Sequence, residues 1–390
     1  MPKSNDLSKS LVTLEQASTL IAVIEMSESN WLVGAMVPGL AREPRKKLPA
    51  DEAGLLELLQ RWRGEAEKAG AGITRIAVAY EAGRDGFWLA RWLRARGIEA
   101  YVIHPSSVAV SREHRRAKTD RLDLALLKRA FLGWLRGEEK HCSMAAIPSL
   151  AEEDAKRPNR ERETLVGEST RLVNRMKGAL ARLGVRGFNP KLKKAPGRLE
   201  ALRTPEGVPL PQNTLAELRR DMQRFGLVNE QIKAIEAARL DRLEKAPAER
   251  AHAMVRLLAR IDGIGVETAD TLVHEALSRD LRDRRAVARY AGLTGAPDES
   301  GKRRREKGLA RAGNARVRRT MIQLAWRFLM FHKDSALAKW FEARTETLSG
   351  DRRAVRKTMI VALARKLLIA LWRLVTVGEM IEGVALEPVA

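Results

Sequence analysis

Leu20-Ile21-Ala22-Val23-Ile24-Glu25-Met26, followed after residues 27–30 by Trp31-Leu32-Val33-Gly34-Ala35-Met36-Val37, is the stretch from which the fold is read. Two apolar runs of strand length, rich in β-branched residues and joined by a short polar connection, predict a β-hairpin. The pattern then alternates. A helix is expected from about Asp51 to Ala69, a strand over Ile73–Glu81, a helix over Gly83–Arg96, a strand over Glu99–His104 and a helix over Thr119–Leu135. Strands interleaved with helices make one mixed α/β sheet. Between about Ala151 and Lys245 strand signals vanish, and long charged helical patterns at Glu161–Leu183 and Thr214–Leu243 flank a loop with Pro205, Pro209 and Pro211. Such lengths predict an antiparallel, coiled-coil-like arm. From Ala248 the chain again reads as helical, interrupted by Gly263-Ile264-Gly265 and a Gly292–Gly308 loop. The expected organisation is therefore three domains, 1–145 (α/β), 146–247 (helical arm) and 248–390 (all-helical).

Composition narrows the function. The 390 residues carry 72 Lys and Arg against 49 Asp and Glu, a formal charge of +23. A surplus of that size fits a polyanionic partner, most simply nucleic acid, whose counterions are released on contact. The single cysteine, Cys142, excludes an internal disulfide framework and a cysteine-rich zinc site, and fits inert packing in a reducing cytoplasm. Neither a signal peptide nor a membrane span is expected, because the most apolar run, Thr358–Val375, is broken by Arg365, Lys366 and Arg373. The six histidines show no ligand spacing, and no Walker or GxGxxG loop is present, which leaves nucleotide hydrolysis and hydride transfer without support.

Four carboxylates stand out. Glu25 and Glu81 each end an apolar strand, and Lys118-Thr119-Asp120-Arg121-Leu122-Asp123 places two aspartates three residues apart, on one face if helical. Two strands and a helix bearing these acids match the layout by which ribonuclease-H-like domains hold two divalent cations. Hard oxygen donors favour Mg²⁺ or Mn²⁺, and two such ions stabilise both the attacking and the leaving oxygen at phosphorus. Taken singly, each acid also reads as a solvated element end or as a partner of Arg115, Arg116 or Arg121.

A second concentration of signal is Pro297-Asp298-Glu299-Ser300-Gly301 and the run from Lys302 to Arg319, with nine basic residues against the single acid Glu306. Lys302, Arg303, Arg304 and Arg305, with Arg316, Arg318 and Arg319 on a following helix, form a candidate phosphate-binding surface. Ser300 is a candidate nucleophile if a metal, a base or cations activate it; by local sequence it also reads as a turn residue. Upstream, Ile261-Asp262-Gly263-Ile264-Gly265-Val266 resembles a helix-hairpin-helix turn, where Gly263 and Gly265 would let backbone N–H groups approach a phosphate.

In this order the pieces resemble the DEDD transposases, Piv-type insertion-sequence recombinases that pair an N-terminal RuvC-like domain with a C-terminal serine-bearing domain. The resemblance runs from about Leu20 to Val375. It rests on Val23-Ile24-Glu25-Met26-Ser27, Tyr80-Glu81-Ala82, Val102-Ile103-His104-Pro105, the Lys118–Asp123 stretch, Asn174-Arg175-Met176-Lys177, Gly263-Ile264-Gly265, Tyr290-Ala291-Gly292-Leu293, Glu299-Ser300-Gly301 and Ala364-Arg365-Lys366-Leu367. It implies that Glu25, Glu81, Asp120 and Asp123 form a metal-binding tetrad and that Ser300 makes a covalent phosphoserine link to DNA. It also implies donor and target DNA as partners, an element-encoded structured guide RNA, and a homo-oligomer, dimer to tetramer, with sites shared between subunits in a nucleoid-associated cytoplasmic protein. Two positions depart from the family pattern: Glu25 stands where Asp is usual, and Glu28 where lysine is common. Two other readings stay open, a RuvC-like nuclease that uses water as nucleophile and a decayed element protein that binds nucleic acid without cutting it.

Overall fold

The computed structural model describes residues 7, 9–81, 83, 86–108, 120–138, 141–300, 303–309, 312–347 and 352–387. The chain divides into two compact units, 1–151 and 152–390.

The first unit is built on a six-stranded mixed sheet in the order β3-β2-β1-β4-β5-β6. The expected hairpin is β1 (Thr19–Met26) against β2 (Asn30–Met36), antiparallel, with β3 (Arg45–Pro49) added outside β2. On the other side of β1, β4 (Arg75–Glu81) and β5 (Glu99–Ile103) run parallel to it, and the two-residue β6 (Met144–Ala145) closes that edge antiparallel. Alternation along the strands sorts the core into two layers. Leu20, Ala22 and Ile24 pack with Leu55, Leu59 and Trp62 of α1 (Glu52–Lys68) and with Leu89 and Leu93 of α2 (Trp88–Arg94). Ile21, Val23, Ala77 and Ala79 pack on the opposite face with Leu124, Leu127, Phe131 and Trp134 of α3 (Asp120–Leu135). Helix α1 forms because Leu55, Leu58, Leu59, Trp62 and Ala66 fall on one stripe and Asp51 caps its start, accepting from the Ala53 and Gly54 amides at 3.2 and 2.7 Å. Cys142 is buried, its thiol donates to the Ala130 carbonyl, and burial pushes its pKa up to about 12, which fits inert packing.

In the second unit, after the short α4 (Leu150–Asp154), α5 (Arg157–Arg182) and α7 (Gln212–Lys245) form the helical arm, with α6 (Ala195–Glu200) in the connection. They are antiparallel, since Arg162 pairs with Glu236 and Arg175 with Asp221. At 1.5 Å per residue, the 34-residue α7 is about 51 Å long. The arm has its own core, including Leu172, Met176, Leu180, Leu218 and Phe225. The rest of the unit packs α8 (Arg250–Ala259), α9 (Val266–Leu272), α10 (Arg284–Tyr290), α11 (Ala315–Phe331), α12 (Ala336–Glu346) and α13 (Arg352–Val377) around Leu258, Leu272, Leu324, Phe328, Leu367 and Leu371. Among the described residues no helix is long and apolar enough to cross a membrane.

The expected Gly292–Gly308 loop is a correction: it folds as a hairpin, β7 (Gly295–Ser300) against β8 (Arg303–Leu309), so this region is not wholly helical. The register explains it in charge, not apolar alternation, because positions 298 and 299, Asp and Glu, stand opposite Arg305 and Arg304.

Two acids are buried where the arm meets α9 and the single π-type turn that follows it at Val273–Leu277. Asp270 accepts from Asn159 Nδ2 at 2.7 Å, faces Arg239 Nε at 3.2 Å and His274 Nε2 at 3.4 Å; Glu275 receives both arms of Arg160 at 2.8 and 3.1 Å. Burial alone would raise both carboxyls, but His274, Asn159 and Arg239 hold Asp270 below its ordinary 3.8, and Arg160, Asn314 and Arg316 hold Glu275 below its ordinary 4.5. The unfolded chain therefore binds more protons in acid. The stabilisation is complete above about pH 5.5 and is lost as pH falls through the depressed folded values. The second unit is expected to unfold at a constant temperature between about pH 5.5 and 7 and at a steadily lower one below about pH 4.5; calorimetry that finds no decline at about pH 3.5 would contradict the linkage.

Candidate metal-dependent nucleic-acid site

Pairing of β1 with β4 sets Ile24 opposite Tyr80, so Glu25 and Glu81 follow side by side on neighbouring strands, whose backbones are about 4.8 Å apart. Alternation puts Glu25 on the face of Ile21 and Val23, and Glu81 on the face of Ala77 and Ala79. That face is the one α3 covers. Its docking is close: a Cβ placed on Gly34 of β2 would lie 2.7 Å from Leu124 Cδ2. Asp120 begins α3 and Asp123 lies half-buried one residue before Leu124. Position 120 is one turn ahead of Leu124 and two ahead of Leu127, on the stripe that meets the sheet. The structure thus brings Glu25, Glu81 and the first turn of α3 to one face of one sheet.

The side chain of Asp120 lies outside the described residues, as do Lys118, Thr119, Arg115 and Arg116. Among the described residues no three His, Cys, Asp or Glu side chains are grouped closely enough to hold a metal ion. In kind the donors suit a hard divalent cation, all being carboxylate oxygens.

Tyr80, noted in the sequence only as the neighbour of Glu81, has a structural task. Its buried hydroxyl donates to the Gly86 carbonyl at 3.1 Å and accepts from the Ala90 amide at 3.2 Å, tying the start of α2 to the strand that ends in Glu81. Tyr80→Phe leaves a buried helix-start amide unsatisfied and is expected to cost about 1–3 kcal/mol in a urea unfolding titration. A midpoint identical to the parent's would show that the clamp contributes nothing.

The second unit holds the other candidates. Ser300 ends β7, and Arg303, Arg304 and Arg305 begin β8, while Lys302 and Gly301 lie outside the described residues. On α11 the three arginines have partners within the chain: Arg316 pairs with Glu163, Arg319 Nη2 reaches Glu163 at 2.5 Å, and Arg318 Nη1 donates to the Ala312 carbonyl at 3.2 Å. Gly263, at φ +80°, turns the chain between α8 and α9, and Gly265 caps α9. A Cβ on Gly263 would lie 2.8 Å from the Phe331 ring, whereas one on Gly265 would meet nothing within 4 Å. What the sequence does not reveal is the buried set around Glu275; its one local signal is Gly313-Asn314, a turn-forming pair directly before α11.

A model described as the transposase IS116/IS110/IS902 family matches residues 255–340, and a DEDD transposase model of the IS110 type matches residues 13–184. A protein of Sinorhizobium fredii that is a transposase by name, y4rJ, is 42% identical over 373 residues, covering 93% of either chain. A Pseudomonas aeruginosa protein named as a family 20 transposase is 26% identical over 312 residues, covering 77% of this chain and 83% of its own.

Proposed function

The chain belongs to the IS116/IS110/IS902 family of transposases, and from that membership we propose that it recombines the ends of its own insertion sequence through a covalent phosphoserine link, on a site built from its four acids. The observation that carries this reading is the register that sets Glu25 beside Glu81 on the face covered by α3, whose first turn bears Asp120 and Asp123. These four residues would hold Mg²⁺ or Mn²⁺, which supplies Lewis-acid stabilisation of charge on the oxygens around phosphorus. Glu25 keeps the charge and donor atoms of the usual aspartate.

Ser300 Oγ attacks the scissile phosphorus: its O–P bond forms as the bond from phosphorus to one deoxyribose oxygen breaks, the serine proton leaves to solvent or a nearby base, and the departing oxygen is protonated. A hydroxyl of the joining strand later displaces Ser300 from phosphorus, which restores the enzyme. Lys302, Arg303, Arg304 and Arg305 neutralise phosphates beside the serine, and the glycine turn at Gly263 and Gly265 offers backbone amides in helix-hairpin-helix manner. The acids of one copy act with the serine of another, which makes a dimer or tetramer the working form. A charge of +23 suits a structured guide RNA alongside donor and target DNA, because a protein that leaves sequence reading to base pairing needs chiefly backbone contacts.

The test is to incubate the protein with DNA bearing the element's ends and Mg²⁺, denature, and map any adduct by peptide mass. Linkage to the peptide containing Ser300 is expected. Linkage elsewhere, or strand exchange with no adduct, overturns the proposal.

A further inference from the structure

Glu275 is fully buried, lies in the π-type turn after α9, and takes part in none of the chemistry above. Four nitrogens of three side chains, from two other elements, converge on it. From the root of α5, Arg160 Nε and Nη2 donate to its two oxygens at 2.8 and 3.1 Å. From the start of α11, Asn314 Nδ2 donates to Oε2 at 2.9 Å and Arg316 Nη1 stands 3.6 Å from Oε1. The Asn314 amide is fixed at both ends, since its Oδ1 caps α11 by accepting from the Arg316 and Val317 amides at 3.0 and 3.3 Å. Hydrogen bonds to a buried charge are the strong kind, and a π turn is a costly interruption in a helix that recurs at functional sites.

Asn314 is also a foot of the β7–β8 hairpin. Its backbone N–H donates to the Tyr290 carbonyl at 2.6 Å, across from Gly292 at the other foot. The feet are nearly in contact: a Cβ on Gly292, at φ +64°, would lie 2.0 Å from the Ala312 carbonyl oxygen, and one on Gly313 would lie 2.6–2.7 Å from Arg289, Gly292 and Tyr290 backbone atoms. Only glycines allow that closure. From these feet the strands run out to Ser300, six residues along β7, or about 20 Å. At that reach a tilt of about 5° at the feet displaces the tip by roughly 1.7 Å, and a displacement of about 1 Å can cost 10²-fold in rate.

We propose that Glu275 is a positioning residue: it fixes the feet of the serine-bearing hairpin to the root of the helical arm, so that where Ser300 stands is set from Arg160 through Glu275 and Asn314. The inference rests on the reading of Ser300 given above for its catalytic consequence, though not for the anchor itself. Glu275→Gln keeps the shape and removes the charge and one acceptor; Asn314→Ser keeps a capping oxygen and removes the amide donor.

Hydrogen–deuterium exchange of the full chain, free of nucleic acid, reads the anchor directly. In both variants exchange across 292–314 is expected to rise roughly tenfold or more, with arm peptides from 165–180 and 215–235 unchanged. In the strand-transfer assay, adduct formation is expected to fall by about 10²-fold at unchanged DNA affinity. Unchanged hairpin exchange in a folded variant overturns the inference whatever the nucleophile is. Faster exchange throughout the unit also overturns it, since that is loss of stability and not of position. Faster hairpin exchange together with a parental adduct at another residue retains the anchor and removes Ser300 instead. Should Glu275→Gln fail to fold, Asn314→Ser decides alone.

Discussion

Ser300→Ala is expected to lower the yield of covalent protein–DNA adduct by roughly 10³-fold or more, because a methyl group has no lone pair to place on phosphorus and nothing else in the hairpin replaces it. Ser300 ends β7, so the substitution leaves the strand pairing and the hairpin feet in place, and binding to element-end DNA should be retained. Asp123→Asn and Glu81→Gln should lose the adduct as completely while keeping Ser300, since each removes a charged donor from the proposed cation site. The pattern separates mechanisms. If water is the nucleophile, as in a RuvC-like nuclease, Ser300→Ala still nicks DNA in Mg²⁺ while the acid variants do not. A chain that only binds nucleic acid gives neither adduct nor nick in any form, and Glu25→Asp tests whether the longer acid is the cause.

Arg239→Ala carries the largest expected loss of stability. Arg239 is 3% exposed and Asp270 4%, and Arg239 Nη2 also donates to Asn159 Oδ1 at 2.7 Å, which turns Asn159 Nδ2 toward Asp270. Truncation strands a buried carboxylate and leaves the asparagine half-satisfied. Breaking one side of a buried pair costs about 3–5 kcal/mol, or roughly 6–20 °C in the unfolding midpoint of a unit this size. Arg239→Met with Asp270→Leu, which removes both charges, should recover much of the loss. If the single variant unfolds within about 2 °C of the parent, the pair is not a structural support.

The sheet was legible where burial writes a pattern. Leu20–Met26 and Trp31–Val37 announce the β1–β2 hairpin because both faces are covered, and Glu25 and Glu81 stand out because acids end otherwise apolar runs. Strand β3 was missed because Arg45-Lys46-Lys47 has no buried face, and β6 because two residues make no period. The hairpin holding Ser300 reads as a loop because its strands carry runs of like charge, acids on one and bases on the other, in place of apolar alternation. The arm was legible from length, but Asn159, Asp270, Glu275 and Asn314 were not, since polar residues distant in sequence carry no periodic sign that they will be buried together. The face on which Glu25, Glu81 and the first turn of α3 meet also needs the strand register, which sequence spacing alone does not supply.

The sheet of the first unit is closed to growth at both margins. One margin, β6, is two residues long, too little for another chain to zip against. The other, β3, presents three successive cations and ends in Pro49, which has no amide to offer. Copies of a protein gathered on a polyanion reach high local concentration, the condition under which bare strand edges join into aggregates. Here such an approach would set cations against cations, which opposes edge-to-edge pairing of copies.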